Sequence, residues 1–576
     1  MSKSKLTAVL LVCDEKALSQ TVSDLISQDG ILGGLDVIFT DIAHSETAKA
    51  EYSRISEKLP CKYISADTVE GGLSETLGEI SAPAFFVLRA GTVYTQGALD
   101  RAVTALESGG AVSFRPRAVQ HLASRMSKSL MENHQDYERF NPKSGYVDLS
   151  EYPQAAHTVI DAYVFSSALL EGVSVDMNIG DEALNKFTLT LLSKIKGYTR
   201  LGDDMCIVNT PLEFAAEAFS AKNESRWYIP SIENFFTPFL RELSDAGRLS
   251  DAVQYAASGL MMAKFFCNYE DKNTCVLAEK EDVARFFAVT GEALGYIKNE
   301  IYIRWCEDHR WTPGNKARKI YFNRALAFSL LRSKAQALGG TLDIKSDAEY
   351  ISISTPDGDS TKVCRASDEI IDISVIDFEN GRLYIDGTFS AADFIDREDI
   401  KLFAEFSGGR TALEYYPVYP LFKCFGVTVA HKYSFYFSIP ADVGTTCRFI
   451  YCVDGREHPI KLSFNEHFSR LVTDKPQAYW CFDKKRCLTC QKSRTLKVEK
   501  LTALGHVKRE LKLLAAMPSF PCPSKSLMLV NIAIRCLYRI TKPFYGKKRR
   551  WMHSVFHLFV VAGSVLQFFC ILFYVI

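Results

Sequence analysis

Three observations predict a multidomain chain with an α/β part, an α part and a β part, closed by an apolar C-terminal helix. At 576 residues the chain exceeds what a single core holds. Its hydrophobic pattern changes twice, from strand–helix alternation to helical spacing near residue 213 and to strand alternation near residue 341. Finally, Trp551 to Ile576 contains no Asp, Glu, Lys or Arg. These changes divide the chain into residues 1–212, a helical domain over 213–340, a β-sandwich over 341–500, a basic amphipathic segment over 501–550 and a membrane helix over 551–576.

Composition narrows the class. With 47% hydrophobic and 24% charged residues the chain is globular rather than disordered. Lys+Arg and Asp+Glu both number 68, which predicts no nucleic-acid partner. The apolar run Ala8–Cys13 is short for a signal-peptide core and is followed by Asp14 and Glu15, so the body is expected in the cytoplasm. The sixteen cysteines show no framework of spacings and read as reduced thiols. Cys487 and Cys490 have zinc-site spacing, but with no second pair they read as members of a strand hairpin.

In the first part, Thr7–Cys13 reads as a buried strand, Lys16–Gln28 as an amphipathic helix and Leu35–Thr40 as a second strand. Cys61–Ser65 and Ala84–Leu88 follow with helical stretches between them. Such alternation builds a mostly parallel sheet, whose ligands bind beyond the carboxyl ends of the strands. The loops to watch are Asp14-Glu15, Asp41–Ser45 and Arg89–Thr92.

In order and spacing these residues resemble the nucleotide-sugar-binding GT-A domain of family 2 glycosyltransferases. Val9–Glu15 stands at that family's first strand, Val37–Asp41 at a strand ending in an acidic residue, and Gly71–Ser74 at a glycine-rich segment. Phe85–Tyr94 with Gly97-Ala-Leu99 resembles the metal-binding strand and the helix start after it, and Asp161–Gly172 the acceptor-side strand and helix. The resemblance implies a nucleotide-sugar site at Asp14, Glu15, Asp41, Arg89 and Gly91, with a catalytic base in the acidic pair Asp181-Glu182. The pair is reversed relative to the family's usual Glu-Asp order, so either member can be the base. The family's Asp-x-Asp is Arg89-Ala90-Gly91 here, so no metal is expected. Arg89 either meets the diphosphate directly or is a solvated residue of a decayed site.

From Trp227 to Phe236 aromatic residues recur at helical spacing, a core pattern. Between 341 and 500 the alternating runs Arg382–Gly387, Lys401–Phe406, Tyr433–Ile439 and Arg448–Cys452 suggest the sandwich. A packing or polymer-binding role is expected there; its tyrosines either stack on sugars or fill core and edge positions. This half resembles the region leading into the polymerising domain of CDP-glycerol glycerophosphotransferases, the teichoic-acid synthases, without that domain. Residues 507–545 form a basic segment that either lies in a membrane interface or packs on a domain. Lys547-Lys-Arg-Arg550 precedes the apolar tail and would hold it to the cytoplasmic face of the membrane. That tail is an anchor or the product of a shortened or frameshifted longer gene. Together these features predict an envelope glycosyltransferase, with a cell-envelope acceptor, membrane lipid and other envelope-synthesis enzymes as partners. The alternative is a decayed nucleotide-sugar- or polymer-binding scaffold.

Overall fold

The computed structural model describes residues 4–500 apart from breaks, the longer ones at 121–128, 132–144, 211–223, 269–275, 309–315, 390–399 and 465–478. Asp14, Asp181, the basic segment 501–550 and the apolar tail 551–576 lie outside the described residues. Among the described residues no helix is long and apolar enough to cross a membrane.

The first part is a ten-stranded mixed sheet. Strands β1 (Leu6–Val12), β2 (Leu35–Asp41), β3 (Cys61–Ser65) and β4 (Ala84–Arg89) run parallel in the order β3-β2-β1-β4. The sheet continues with β5 (Thr92–Tyr94), β6 (Ala111–Gln120), β7 (Ser129–Met131), β8 (Gly145–Asp148), β9 (Tyr163–Ser166) and β10 (Gly197–Thr210). Beyond β4 the order is β9-β6-β10-β5, with β9 antiparallel to both its neighbours and β10 parallel to β6. All seven residues of β1 are buried, as a central strand covered on both faces requires.

Alternate residues of these strands feed two different cores. Leu6, Ala8, Leu10, Val12, Phe86 and Leu88 face α1 (Leu18–Leu32), α2 (Glu46–Ser56) and α4 (Ala98–Leu106). Val9, Leu11, Phe85 and Val87 face α3 (Val69–Leu77) and α5 (Ala183–Leu192) and join the core of the remaining chain. The helix starts are capped: the Ser45 hydroxyl accepts from Ala48 N and the Thr68 hydroxyl from Gly71 N. The glycine-rich stretch lies inside α3, where a Cβ on Gly72 would stand 2.6 Å from the Thr40 methyl. Close packing of helix on strand is the reason for that glycine.

Next come helices α6 (Thr237–Asp245), α7 (Asp251–Phe266), α8 (Lys280–Leu294), α9 (Asn299–Asp308) and α10 (Lys316–Ala337). Tyr228, Phe235 and Phe236 of the aromatic run are buried core members.

From Asp343 onward the described elements are strands. A three-stranded sheet of β11 (Asp343–Ser346), β12 (Tyr350–Ser354) and β13 (Ser360–Arg365) comes first. Then follow β14 (Ile370–Glu379), β15 (Arg382–Phe389), β16 (Ile400–Phe406), β17 (Gly409–Ala412), β18 (Tyr415–Cys424), β19 (Val427–Pro440) and β20 (Thr446–Val453). The last are β21 (Arg456–Pro459), β22 (Lys461–Phe464), β23 (Tyr479–Cys481), β24 (Arg486–Gln491) and β25 (Thr495–Lys500). They form a five-stranded sheet, β18-β19-β15-β14-β22, and a seven-stranded sheet, β17-β16-β20-β25-β24-β23 with β21 beside β20. The sheets meet through Phe435 and Phe437, each with its ring centroid 5.4 Å from that of Phe449. β23 and β24 are the hairpin read around the cysteines, with Cys487 and Cys490 buried.

The turn between β18 and β19 reaches into the helical part. Phe425, at φ +52°, sets its ring 5.5 Å from Tyr228, 5.9 Å from Phe265 and 5.4 Å from Phe286. Its backbone N donates to Asn268 O, and Cys424 Sγ donates to Phe265 O.

Candidate nucleotide-sugar site and an interdomain ion pair

The three loops named from the sequence meet at one edge of the sheet, stitched to the end of β1. Val12 O accepts hydrogen bonds from Ile42 N and Ala43 N, and Leu11 O accepts from Ala90 N. The register sets Leu11 beside Arg89 and Val12 beside Asp41. Glu15, exposed, takes hydrogen bonds from Ser45 and Thr47, which hold its carboxyl below the usual range. Ligands of open α/β sheets bind beyond the carboxyl ends of such parallel strands.

Asp41 is fully buried. Its carboxylate accepts from Tyr63 Oη at 2.7 Å and from His44 N at 2.8 Å, so it shapes the loop rather than lining open space. Burial, then the hydrogen bond to Asp41 and the Asp41 charge, push the Tyr63 phenol up to about 12.

Arg89 has a partner that the sequence reading placed in a different role. Asp161, wholly buried just ahead of β9, accepts from Arg89 N at 2.8 Å, Nε at 3.1 Å and Nη2 at 2.6 Å, and from Thr92 Oγ1 at 2.9 Å. Its charge holds the Arg89 guanidinium above its ordinary range. About a third of the Arg89 side chain stays exposed (33%), enough for it to meet an anion. Gly91, at φ +95°, lets the chain turn there, and its N donates to Thr21 Oγ1 at 2.8 Å. A guanidinium stands where the family's first carboxylate would be, and Asp161 beside it already takes four hydrogen bonds. A buried acid 72 residues away is invisible to local pattern reading; only the chemistry of an isolated Arg at a strand end hinted at it.

Glu182 makes its contacts elsewhere. Its carboxylate accepts from Lys264 Nζ at 2.7 Å, Ser231 Oγ at 2.9 Å and Asn185 Nδ2 at 2.8 Å. Lys264 is buried, its ammonium 4.6 Å from the Trp227 ring centre and 5.6 Å from that of Phe236. Burial alone would raise the Glu182 carboxyl, but the Lys264 charge and the three hydrogen bonds outweigh it and hold it low. The pair pins the start of α5 to the helical part. None of these contacts reaches Arg89 or Asp41.

The sheet is mixed rather than the mostly parallel one the sequence predicts: β1–β4, β6 and β10 run one way and β5, β7, β8 and β9 the other, because the later strands join as short returning pairs rather than through helical crossovers. With its loops gathered at one edge, it is built as the GT-A glycosyltransferase domain that the sequence resembles. Among the solved structures similar to this chain is S. aureus TarS, 10% identical with a TM-score of 0.42, covering 87% of this chain and 86% of that one. TarS 1–349 in complex with UDP-GlcNAc is 11% identical at a TM-score of 0.40, covering 62% of this chain and 99% of that one. Mannosyltransferase PcManGT from Pyrobaculum calidifontis, in complex with GDP-Man and Mn2+, is 12% identical at 0.30, covering 59% and 88%. No family model and no curated protein matches the chain.

Proposed function

We propose that the chain is a glycosyltransferase that holds a nucleotide sugar beyond the ends of β1, β2 and β4 and passes the sugar to a cell-envelope acceptor at the membrane. The observation that carries this reading is Arg89: a charged, part-exposed guanidinium fixed by Asp161 at the edge where three loops converge. In the reaction, an acceptor hydroxyl attacks the anomeric carbon as the bond to the diphosphate breaks. Arg89 balances the charge that builds on the departing phosphate. We assign the general base that takes the hydroxyl proton to Asp181, because Glu182 is committed to Lys264. The tail from Trp551 would keep the body beside its acceptor, with the other envelope enzymes as neighbours. The same commitment of Glu182, together with the burial of Asp41, favours a second reading: a scaffold that binds the nucleotide sugar without turning it over.

Calorimetry with a panel of nucleotide sugars decides between them. Binding should survive chelation of divalent metals, because the turn offers no carboxylate pair to recruit one. The double variant Arg89→Met/Asp161→Asn should weaken nucleotide sugars by about 1.5–3 kcal/mol, the worth of a hydrogen bond to a charged group. Affinity for the bare nucleoside should not change. Asp181→Asn should spare binding and end transfer. Strict metal dependence, or an unchanged affinity in the double variant, rejects the site. Binding by every variant with no transfer by any leaves the scaffold.

A further inference from the structure

The outer face of the five-stranded sheet is aromatic and acidic at once. Side chains alternate along β19, so Phe435 and Ile439 point into the core while Tyr436 stands 58% exposed. Register places Tyr384 of β15 opposite Ser438, and Tyr416 of β18 opposite Ser434. The three tyrosines therefore lie on a diagonal across three adjacent strands, each step about 7–8 Å by sheet geometry. Tyr384 and Tyr436 are near-parallel, 15° apart with centroids at 5.9 Å, and Tyr416 is 53% exposed. Carboxylates share this face: after burial, the charges of Tyr384, Asp377, Glu379 and Asp386 raise the Tyr436 phenol. Asp386 accepts from Ser434 Oγ at 3.4 Å, and Arg382 donates through Nε to Ser438 Oγ at 2.9 Å.

We propose that this face binds a neutral glycan chain, independently of the nucleotide-sugar site. Flat aromatic rings in a row match the apolar C–H faces of successive sugar rings. Carboxylates between them accept hydrogen bonds from hydroxyl groups and repel phosphodiester polymers by like charge. A core role does not account for Tyr416 and Tyr436, each more than half exposed, on one line with the half-buried Tyr384.

The test is electrophoresis of the whole protein in native gels that carry dextran, xylan or chito-oligosaccharide, with polyphosphate as the anionic control. At least one neutral glycan should retard the protein, and polyphosphate should not. Tyr384→Ala/Tyr436→Ala should weaken that retardation about tenfold or more, with Tyr416→Ala losing less. Tyr146→Ala, an exposed tyrosine on the first sheet, should change nothing. Absence of retardation by all three glycans overturns the proposal. So does retardation unaffected by the tyrosine pair, or retardation by polyphosphate alone. Because the readout needs no nucleotide, failure at the sheet edge and failure here are told apart.

Discussion

Lys264→Ala is expected to lose about 3–5 kcal/mol of stability, the usual cost of leaving a buried charge without its partner. The Lys264 side chain is 1% exposed and its carboxylate partner 11%, so water cannot take the place of the missing ammonium. Glu182→Gln should lose less, because the amide still meets Ser231 and Asn185 in part. The double change Lys264→Met/Glu182→Gln should cost less than the two singles added, since it leaves no lone charge. The sign with pH follows from Glu182, whose carboxyl is held below its ordinary value of 4.5. Its contribution is present above that value and lost as pH falls through the folded-state value below it. Urea midpoints at neutral pH and in mild acid check both statements: the wild type should weaken on acidification more than the double variant. Equal pH dependence of the two would remove the ion pair from the account.

Asp161→Ala should be nearly as damaging, again about 3–5 kcal/mol, and should abolish nucleotide-sugar binding as well. The residue is wholly buried and takes both the backbone and the side chain of Arg89, so its loss frees the end of β4 and strands a guanidinium. Thr92→Val removes only one of the four donors and should cost about 1 kcal/mol. Arg89→Ala alone leaves the Asp161 carboxylate buried and uncompensated, so it reports on folding as much as on any ligand. That is why the double variant, with neither charge, is the clean probe of phosphate contact. Thermal unfolding and calorimetry on the four proteins give the order; an Asp161→Ala protein as stable as Thr92→Val would show that the pair carries no structural weight.

Much of the scaffold was legible because it is local. The all-apolar run of β1, the alternation along β15 and the acidic ending of β2 fix strands and their buried faces from a few neighbouring residues. The strand–helix alternation puts the loops after β2 and β4 at the carboxyl ends of neighbouring strands, and there Val12 O and Leu11 O hold them. What local pattern misses is partnership across long separations. Arg89 meets Asp161, Lys264 meets Glu182 82 residues away, and Asp41 meets Tyr63 on the adjacent strand. Arg89, Asp41 and Glu182 read alone as ligand, base or solvated residue, and each has a partner in the fold that holds it in place. Asp14 and Asp181 stay at the level of the resemblance.

The Phe425 turn has a consequence for how the protein is made. Tyr228, Phe265 and Phe286 leave the ribosome well ahead of it; about 140 residues separate Phe286 from Phe425. At ordinary elongation rates that is a delay of roughly 7–30 s, during which an aromatic slot stands open on the nascent chain. A strand-rich stretch still emerging nearby is the kind of segment that enters such a slot wrongly. The helices thus precede by many seconds the ring that completes their core, and translation slowed between residues 290 and 425 would lengthen the interval in which that slot stays open.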